Sequence, residues 1–203
     1  MKYFCYKIDH DYGLAPNPFH GYCTLAVCKS NIRNNKNLRI GDWIIGIGSK
    51  GLGNFHKLIF AMCLEEKITF NEYWEDNRFQ LKKPIINGSL VQMYGDNIYH
   101  QDPITNEWIQ ENSAHSLVGG KTNFDHLKRD IGGHFVLISK NFYYFGKNSP
   151  TIPDEYLEVC SEGRDMKSNS IPLQIGHNFI NWIISNYSPG IYGDPTSWKI
   201  HLK

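Results

Sequence analysis

The sequence has no excess of either charge. Its 21 Lys and Arg residues are balanced by 20 Asp and Glu residues, so the formal net charge is +1 at pH 7. A protein that holds long duplexes mainly through their phosphates needs a basic surface, and this balance argues against that class. Recognition of a single base or nucleotide stays open.

Long apolar runs are also missing. The longest stretches fall far short of the roughly 20 residues that a membrane-spanning helix requires. The first ten residues, MKYFCYKIDH, are polar and charged where a secretory signal has an apolar segment. We therefore expect a cytoplasmic protein with no membrane partner and with reduced thiols.

Cysteine is scarce, with five residues in the chain. His20, Cys23 and Cys28 form an H-x2-C-x4-C run that lacks the second half of a zinc motif, so no metal site is predicted there. Cys5, Cys28 and Cys63 are interpreted as small buried hydrophobes. Nucleophile elbows, Walker loops, dinucleotide fingerprints and zinc deaminase signatures are absent, so the sequence identifies no cofactor.

Aromatic residues, in contrast, are plentiful, with 12 Tyr, 11 Phe and 5 Trp among 203 residues. Such rings supply both core packing and surfaces on which bases stack. The length is sufficient for one domain with a full core, and no linker, repeat or low-complexity tract interrupts it. We predict a single domain over residues 1–203.

The stretch from 38 to 66 alternates apolar and small residues on both sides of a Gly-rich turn, which predicts a β-hairpin. In its first strand Trp43 shares one face with two isoleucines, and Gly46 and Gly48 lie on the other face. Two glycines at i and i+2 leave bare backbone that a ligand can approach. We predict a ligand pocket at this glycine edge, with Ser49 and Lys50 of the turn beside it and with Trp43 as a ring on which a base could stack. The alternative for Trp43 is a core residue, because it shares a face with the two isoleucines.

A Pro- and Gly-rich loop over residues 9–22 carries side chains suited to reading a base. Asp11 and Asn17 offer hydrogen-bonding groups, and Phe19 and Tyr22 offer rings. Two prolines stiffen the loop, which lowers the entropy lost on binding. The alternative is a connector that only covers the core.

Two groups of basic residues are candidates for phosphate contacts. Lys29 and Arg33 lie in a basic run after the first loop, and Arg164 and Lys167 lie in the segment GRDMKS. Guanidinium and ammonium groups are natural partners of phosphate oxygens. The alternative is an ordinary solvated surface.

His100 and His115 fall in the least regular segment, residues 90–116, and polar groups on loops are frequent in functional sites. With Asp11, they are our candidates for general acid–base catalysis, because histidine titrates near neutral pH. The alternatives are histidines that form structural hydrogen bonds or are merely exposed. Their spacing does not support a metal site.

Local patterns predict several further elements. Thr69 with Glu three residues later forms a capping box that begins a short helix. Residues 90–94 are predicted as a strand, and residues 135–139 and 142–145 as a second hairpin whose four consecutive aromatics serve either core packing or base stacking. Residues 173–187 have the apolar stripe of a long helix, which Ser-Pro-Gly ends. The fold class is α+β: a curved or closed barrel, or a strongly twisted mixed sheet, with short helices and one long C-terminal helix.

The segments DYGLAPNPFHGYCTLAVCKSNIR, GDWIIGIGSK, ITFNEYWEDNRF and FYYFG together resemble the nucleotide-modification-associated domain family of the second type, over roughly residues 3–198. This resemblance implies a place in bacterial or phage systems that make hypermodified DNA bases, without an assigned reaction. The order of strands, turn and short helix is also similar to the PUA, EVE and ASCH barrels, which hold a single modified or flipped base. That second likeness implies a PUA/EVE-like barrel by fold analogy alone.

Three functions are compatible with these features. The first is a reader that binds a modified base or nucleotide in an aromatic-walled pocket. The second is an enzyme that modifies a nucleobase or nucleotide by acid–base chemistry, although the sequence shows no covalent nucleophile with an activating partner. The third is a scaffold for other base-modification enzymes.

Overall fold

The computed structural model describes residues 1–160 and 171–201. The chain forms two compact units, and each is built from separate stretches of sequence. Unit 1 contains residues Met1–Tyr12, Asn37–Glu65 and Ser139–Lys203, and unit 2 contains Gly13–Lys36 and Glu66–Ile138. In the described residues, no helix is both long enough and apolar enough to cross a bilayer.

Unit 1 contains a five-stranded mixed sheet. Its strands, in chain order, are β1 (Tyr3–Ile8), β3 (Trp43–Gly48), β4 (Leu58–Cys63), β9 (Phe142–Tyr144) and β10 (Gly190–Ile191). The spatial order is β1-β3-β4-β9-β10, with β3, β4 and β9 antiparallel and with parallel pairs at both edges. The predicted hairpin of β3 and β4 is confirmed, but the sheet is open, so the predicted PUA-like barrel is not found among the described strands.

One long helix, α5 (Leu173–Asn186), packs on this sheet. Its buried residues Phe179, Ile180 and Ile183 share a core cluster with Tyr3 and with the Trp43 face of β3. The predicted C-terminal helix is thus present and ends one residue before the predicted boundary. The four aromatics at 142–145 are all buried, which fits core packing and not a base-stacking platform.

Unit 2 combines small sheets with short helices. Its strands are β2 (Cys23–Leu25), β5 (Glu66–Thr69) and β8 (Phe135–Ser139), in the order β2-β8-β5, and the hairpin of β6 (Tyr99–Gln101) with β7 (Trp108–Gln110). Its helices are α1 (Ser30–Arg33), α2 (Phe70–Glu75), α3 (Leu90–Met93) and α4 (Phe124–Ile131). Short 3₁₀ turns occur at Asn77–Lys82 and Val118–Gly120 in this unit, and at Gly146–Asn148, Asp154–Val159 and Thr196–His201 in unit 1.

Two local predictions for unit 2 have opposite outcomes. The capping box of Thr69 and Glu72 is confirmed, with both reciprocal hydrogen bonds present at the start of α2. Leu90–Met93 form a helix and not the strand predicted over residues 90–94, because Ser89 and Gln92 form a second capping box.

Candidate active site

Three side chains of unit 2 lie in line as a thiol, an imidazole and a carboxylate. The Sγ atom of Cys28 is 3.7 Å from Nε2 of His115, and Nδ1 of His115 is 2.8 Å from Oδ2 of Asp130. Asp130 is fully buried, His115 is 7% exposed, and Cys28 is partly accessible. This is the arrangement of a nucleophile, a base and a group that orients the base.

Cys28 occupies a sharp turn between β2 and α1. Both Cys28 and Lys29 have left-handed backbone conformations, with φ of 53° and 38°. Non-glycine residues rarely adopt this region, and such strain is concentrated at functional sites. The turn is held in place because the backbone N–H of Cys28 donates to Oδ1 of Asp130 at 3.0 Å.

Asp130, in α4, receives four hydrogen bonds, which fix its carboxylate. Oδ2 accepts from His115 and from the Tyr99 hydroxyl at 2.9 Å, and Oδ1 accepts from the Cys28 backbone and from Nε of Arg129 at 3.1 Å. Gln110 donates in turn to the Tyr99 hydroxyl at 3.1 Å. A carboxylate with every lone pair engaged holds the His115 ring in a single orientation.

Arg33 binds the backbone on both sides of this cluster. Its guanidinium donates to the carbonyl oxygens of Cys28 at 2.9 Å, of Asp130 at 2.5 Å and of Phe135 at 3.0 Å. The side chain is completely buried, and burial lowers its pKa to about 10. The sequence suggested a surface cation for phosphate. In the structure Arg33 is an internal clamp, because three carbonyl groups in unit 2 use its donors.

The electrostatics of the cluster favour a protonated His115. Burial lowers the pKa of His115, but the hydrogen bond to Asp130 and the nearby Cys28 sulfur outweigh burial and raise it to about 9. Burial raises the pKa of Asp130, whereas His115 and Arg129 lower it to about 2. At neutral pH the pair is therefore imidazolium and carboxylate, and Nε2–H of the charged ring faces the Cys28 sulfur.

The same three side chains are the group, among the described residues, whose ligand atoms lie close enough to hold a metal ion. However, His115 directs one ring nitrogen toward the sulfur and the other toward the carboxylate. The two nitrogen lone pairs of an imidazole diverge, so an ion bound by Nε2 and sulfur would lie on the side of the ring away from Oδ2. The arrangement fits proton transfer better than coordination.

The other predicted catalytic residues lie apart from this cluster. Asp11, in unit 1, is 1% exposed and accepts from the Tyr144 hydroxyl at 2.6 Å and from the backbone N–H of Thr196 at 3.0 Å. His100 is half-buried in unit 2, stacks on Trp74 at 3.9 Å and pairs with Glu111 at 2.9 Å. Of the predicted acid–base candidates, only His115 is in contact with the thiol.

The space beside the two glycines of β3 is filled. A Cβ atom on Gly46 would come within 2.2 Å of the Phe60 ring and 2.7 Å of Ile8, and one on Gly48 within 2.1 Å of the Asn54 carbonyl. The expected opening is therefore absent at this position of unit 1, because neighbouring side chains and the turn backbone pack onto the bare strip.

The remaining predicted ligand-binding residues of β3 and its turn have the following positions. Trp43 is 4% exposed and belongs to the core of unit 1, 6.3 Å from the Tyr143 ring. Ser49 is buried and accepts from the backbone N–H of Leu52, while Lys50 is exposed with its ammonium 5.1 Å from the Phe55 ring. Their ligand-binding roles stay predictions.

The predicted reading residues of the loop have structural contacts in unit 2. Asn17 is 1% exposed, and its Oδ1 accepts from Nζ of Lys82 at 2.6 Å. Burial lowers the pKa of Lys82 to about 8. Tyr22 is half-buried, with its ring centroid 5.1 Å from that of Phe79 in an edge-to-face arrangement, and Phe19 is also half-buried. Binding roles for these residues are likewise untested.

The predicted phosphate-binding residues are dispersed. Lys29 directly follows Cys28 and is half-buried, and Arg33 is the internal clamp. Arg164 and Lys167 lie outside the described residues.

Sequence reasoning missed Cys28 and Asp130. Cys28 was interpreted as a small hydrophobe, although it stands where a strand ends and a helix begins, a position that nucleophiles favour. Asp130 lies in the last turn of α4, and nothing in the local sequence connects it with a cysteine 102 positions earlier. Only the first of these residues had a signal that could have been found.

Comparison with known proteins supplies a context. The family model described as "Nucleotide modification associated domain 2" matches residues 1–202, which confirms the resemblance inferred from the sequence. No curated protein and no solved structure matches the chain significantly. The match therefore associates the chain with nucleotide modification but assigns no reaction and no residues.

Proposed function

Because the chain belongs to the nucleotide modification associated domain 2 family, we propose that it is an enzyme that modifies a nucleobase or nucleotide through a covalent intermediate on Cys28. In this proposal His115 is the general acid–base and Asp130 orients it. The observation that carries the proposal is the line of contacts from Sγ through the imidazole to the buried carboxylate. A partly accessible thiol beside an imidazolium is the setting in which cysteine is a strong nucleophile.

The first half of the reaction follows from these contacts. The Cys28 sulfur, as thiolate, adds to an electrophilic carbon of the substrate and forms an S–C bond. The electron pair displaced from that carbon moves to the neighbouring atom or to a leaving group, and Nε2–H of His115 supplies the proton there. The imidazole is then neutral, while its Nδ1–H stays bonded to Asp130.

In the second half neutral His115 acts as a base. It removes a proton from water or from another acceptor molecule. The deprotonated acceptor attacks the carbon of the intermediate and displaces the Cys28 sulfur as thiolate. The imidazolium–thiolate pair is restored, and protons and electrons balance over the cycle. A histidine whose pKa is raised to about 9 favours the acid role first, because it begins the cycle protonated.

A base reader is the weaker hypothesis. It depends on an opening beside Gly46, where Phe60 and Ile8 fill the space. The enzyme hypothesis accounts for the contacts among the thiol, imidazole and carboxylate, whereas binding of a base does not require them. The scaffold hypothesis would be favoured if the two tests below showed neither a reactive Cys28 nor any product.

The first test measures thiol reactivity. Peptide mapping after limited iodoacetamide treatment at pH 7 should show Cys28 alkylated about 10-fold or more faster than half-buried Cys63, because only Cys28 has an imidazolium partner. His115→Gln should remove most of this difference. Equal rates for the two cysteines in the folded protein would contradict the proposal.

The second test looks for turnover. The protein is incubated with nucleoside, nucleotide and DNA pools, and products are followed by mass spectrometry. Cys28→Ser should abolish any new product, whereas the matched variant Cys63→Ser should retain it. Product formation by Cys28→Ser at the wild-type rate would exclude covalent catalysis at this residue.

A further inference from the structure

Arg129 borders the candidate active site with part of its hydrogen-bonding capacity unused. Its Nε donates to Asp130 at 3.1 Å, and its side chain is 46% exposed. Among the described residues, neither Nη1 nor Nη2 of Arg129 has a hydrogen-bonding partner. The guanidinium is thus anchored at one edge and presents free N–H groups at the other.

Other arginines of unit 2 are used differently. Arg78 is held between the carboxylates of Glu66 and Asp76, both at 2.7 Å. Arg33 uses Nε, Nη1 and Nη2 on three backbone carbonyl groups. A planar fork that is fixed at one side and open at the other is the geometry with which arginine binds phosphate.

The charges around the thiol also favour binding of an anion beside it. Arg33, Arg129 and His115 are cations that interact electrostatically with Cys28 and Asp130, and Asp130 is the acidic group they share. Arg33 is bonded only to neutral carbonyl oxygens, so its charge is not cancelled by direct contact. A thiolate on Cys28 would offset one of the two excess positive charges, and a bound anion would offset the other.

We propose that Arg129 is a substrate-recognition residue that binds a phosphate group, so that the substrate is a nucleotide or a nucleic acid strand and not a free base or nucleoside. This inference rests on the proposed function, since it supplies the substrate class for the same site. Nε of Arg129 and the backbone N–H of Cys28 donate to the same oxygen, Oδ1 of Asp130, so a phosphate on Arg129 would lie near the turn that carries the thiol. A phosphate monoester and a phosphodiester are both compatible with this chemistry.

The first experiment compares two alkylating reagents that differ in charge. Iodoacetate is an anion and iodoacetamide is neutral, and the ratio of their rates at Cys28 reports anion binding beside the sulfur. In Arg129→Gln this ratio should fall about fivefold, the effect of losing one partly screened charge contact. Lys128→Gln removes the same charge from the adjacent exposed residue of α4 and should leave the ratio unchanged.

The ratio of iodoacetate to iodoacetamide rates distinguishes anion recognition by Arg129 from a purely structural role. A change in the thiol itself would alter the rates of both reagents to the same extent. An unchanged ratio in Arg129→Gln would overturn the inference while leaving nucleophilic Cys28 intact. Equal falls in Arg129→Gln and Lys128→Gln would also overturn it, since they would indicate a general field and not a site.

The second experiment does not depend on the thiol. In Cys28→Ser, melting temperatures are measured with the four 5′-deoxynucleoside monophosphates, with the four deoxynucleosides and with a single-stranded oligodeoxynucleotide. A phosphate-bearing ligand should stabilise this variant, and adding Arg129→Gln should remove the effect. Stabilisation by monophosphates identifies a nucleotide substrate, and stabilisation by the oligonucleotide alone identifies a strand. Phosphate recognition would be rejected if nucleosides raised the melting temperature as much as monophosphates did. It would also be rejected if none of the ligands raised it.

Discussion

Arg33 and His115 illustrate how the role of one side chain depends on its partners. Arg33 was predicted to bind phosphate and His115 to act as a general acid–base, and both side chains are buried in unit 2. Arg33 bonds the backbone of Cys28 and of Asp130, so one guanidinium determines the separation of two residues that are far apart in sequence. His115 is in contact with the thiol, whereas Arg33 contacts the backbone that carries the thiol and the carboxylate.

Replacing Arg33 with Lys should therefore harm both stability and reactivity. An ammonium cannot reproduce the planar fork, so at least one buried carbonyl oxygen loses its donor, at a cost of about 1–3 kcal/mol in the free energy of unfolding. The alkylation rate of Cys28 should also fall in the folded protein. Urea denaturation and mapping measure both, and Arg39→Lys, at an exposed position, is the control. Unchanged stability would mean that the clamp is dispensable.

The raised pKa of His115 predicts a pH dependence of stability. Its folded value of about 9 lies above the reference of 6.5, so the folded state holds the proton more tightly. This contribution is fully present below pH 6.5 and is lost as pH rises through 9, by about 3 kcal/mol at most.

Urea denaturation between pH 6 and pH 9.5 measures this dependence. His115→Gln should remove it, so the difference in unfolding free energy between wild type and variant shrinks as pH rises. His177→Gln, at an exposed position of α5, should follow the wild type. If the difference in unfolding free energy between wild type and His115→Gln grew with pH, the pKa of His115 would be lowered on folding and not raised.

At the level of strands and helices, several local patterns predicted the correct element, whereas the strand at residues 90–94 and the pairing of residues 135–145 were predicted wrongly. The β3–β4 hairpin, the capping box of α2 and the stripe of α5 all depend on neighbours in the chain, and each was predicted. Strands at 135–139 and 142–144 exist as expected, but they do not form a hairpin. β8 pairs with β5, and β9 pairs with β4 and β10.

The filled space at β3 gives a prediction about one glycine. Gly46→Ala should lower the free energy of unfolding by about 1–3 kcal/mol, because its methyl group would overlap Phe60 and Ile8. Gly51→Ala in the turn has no neighbour closer than 3.7 Å and is the matched control. Thermal denaturation measures both variants. A neutral Gly46→Ala would imply an open space there and would revive the pocket hypothesis.

Over the length of the chain, contacts between distant segments hold unit 1 together. Asp11 accepts from Tyr144 and Thr196, and its backbone carbonyl accepts from the N–H of Ser197 at 2.8 Å. One buried carboxylate thus connects residues separated by 185 positions. Its burial and these hydrogen bonds give Asp11 a structural role in unit 1, and its catalytic role stays a prediction.

Asp11→Ala should accordingly destabilise the protein by about 2–4 kcal/mol, because it leaves buried donors without an acceptor. The rate of Cys28 alkylation in the folded variant should match the wild type, since Asp11 belongs to unit 1 and Cys28 to unit 2. Asp9→Ala, at an exposed position nearby, should change neither quantity. A stable Asp11→Ala with unreactive Cys28 would restore Asp11 as a candidate catalytic residue.

The amino-acid order was sufficient for the α+β class, the family, the hairpin of β3 and β4 and the C-terminal helix, because periodicity and capping act between residues a few positions apart. The open sheet, the filled glycine strip and the joining of Cys28 with His115 and Asp130 depended on folding in three dimensions. Those contacts bring together residues up to about a hundred positions apart, and their energies come from burial and charge neutralisation that no local pattern encodes.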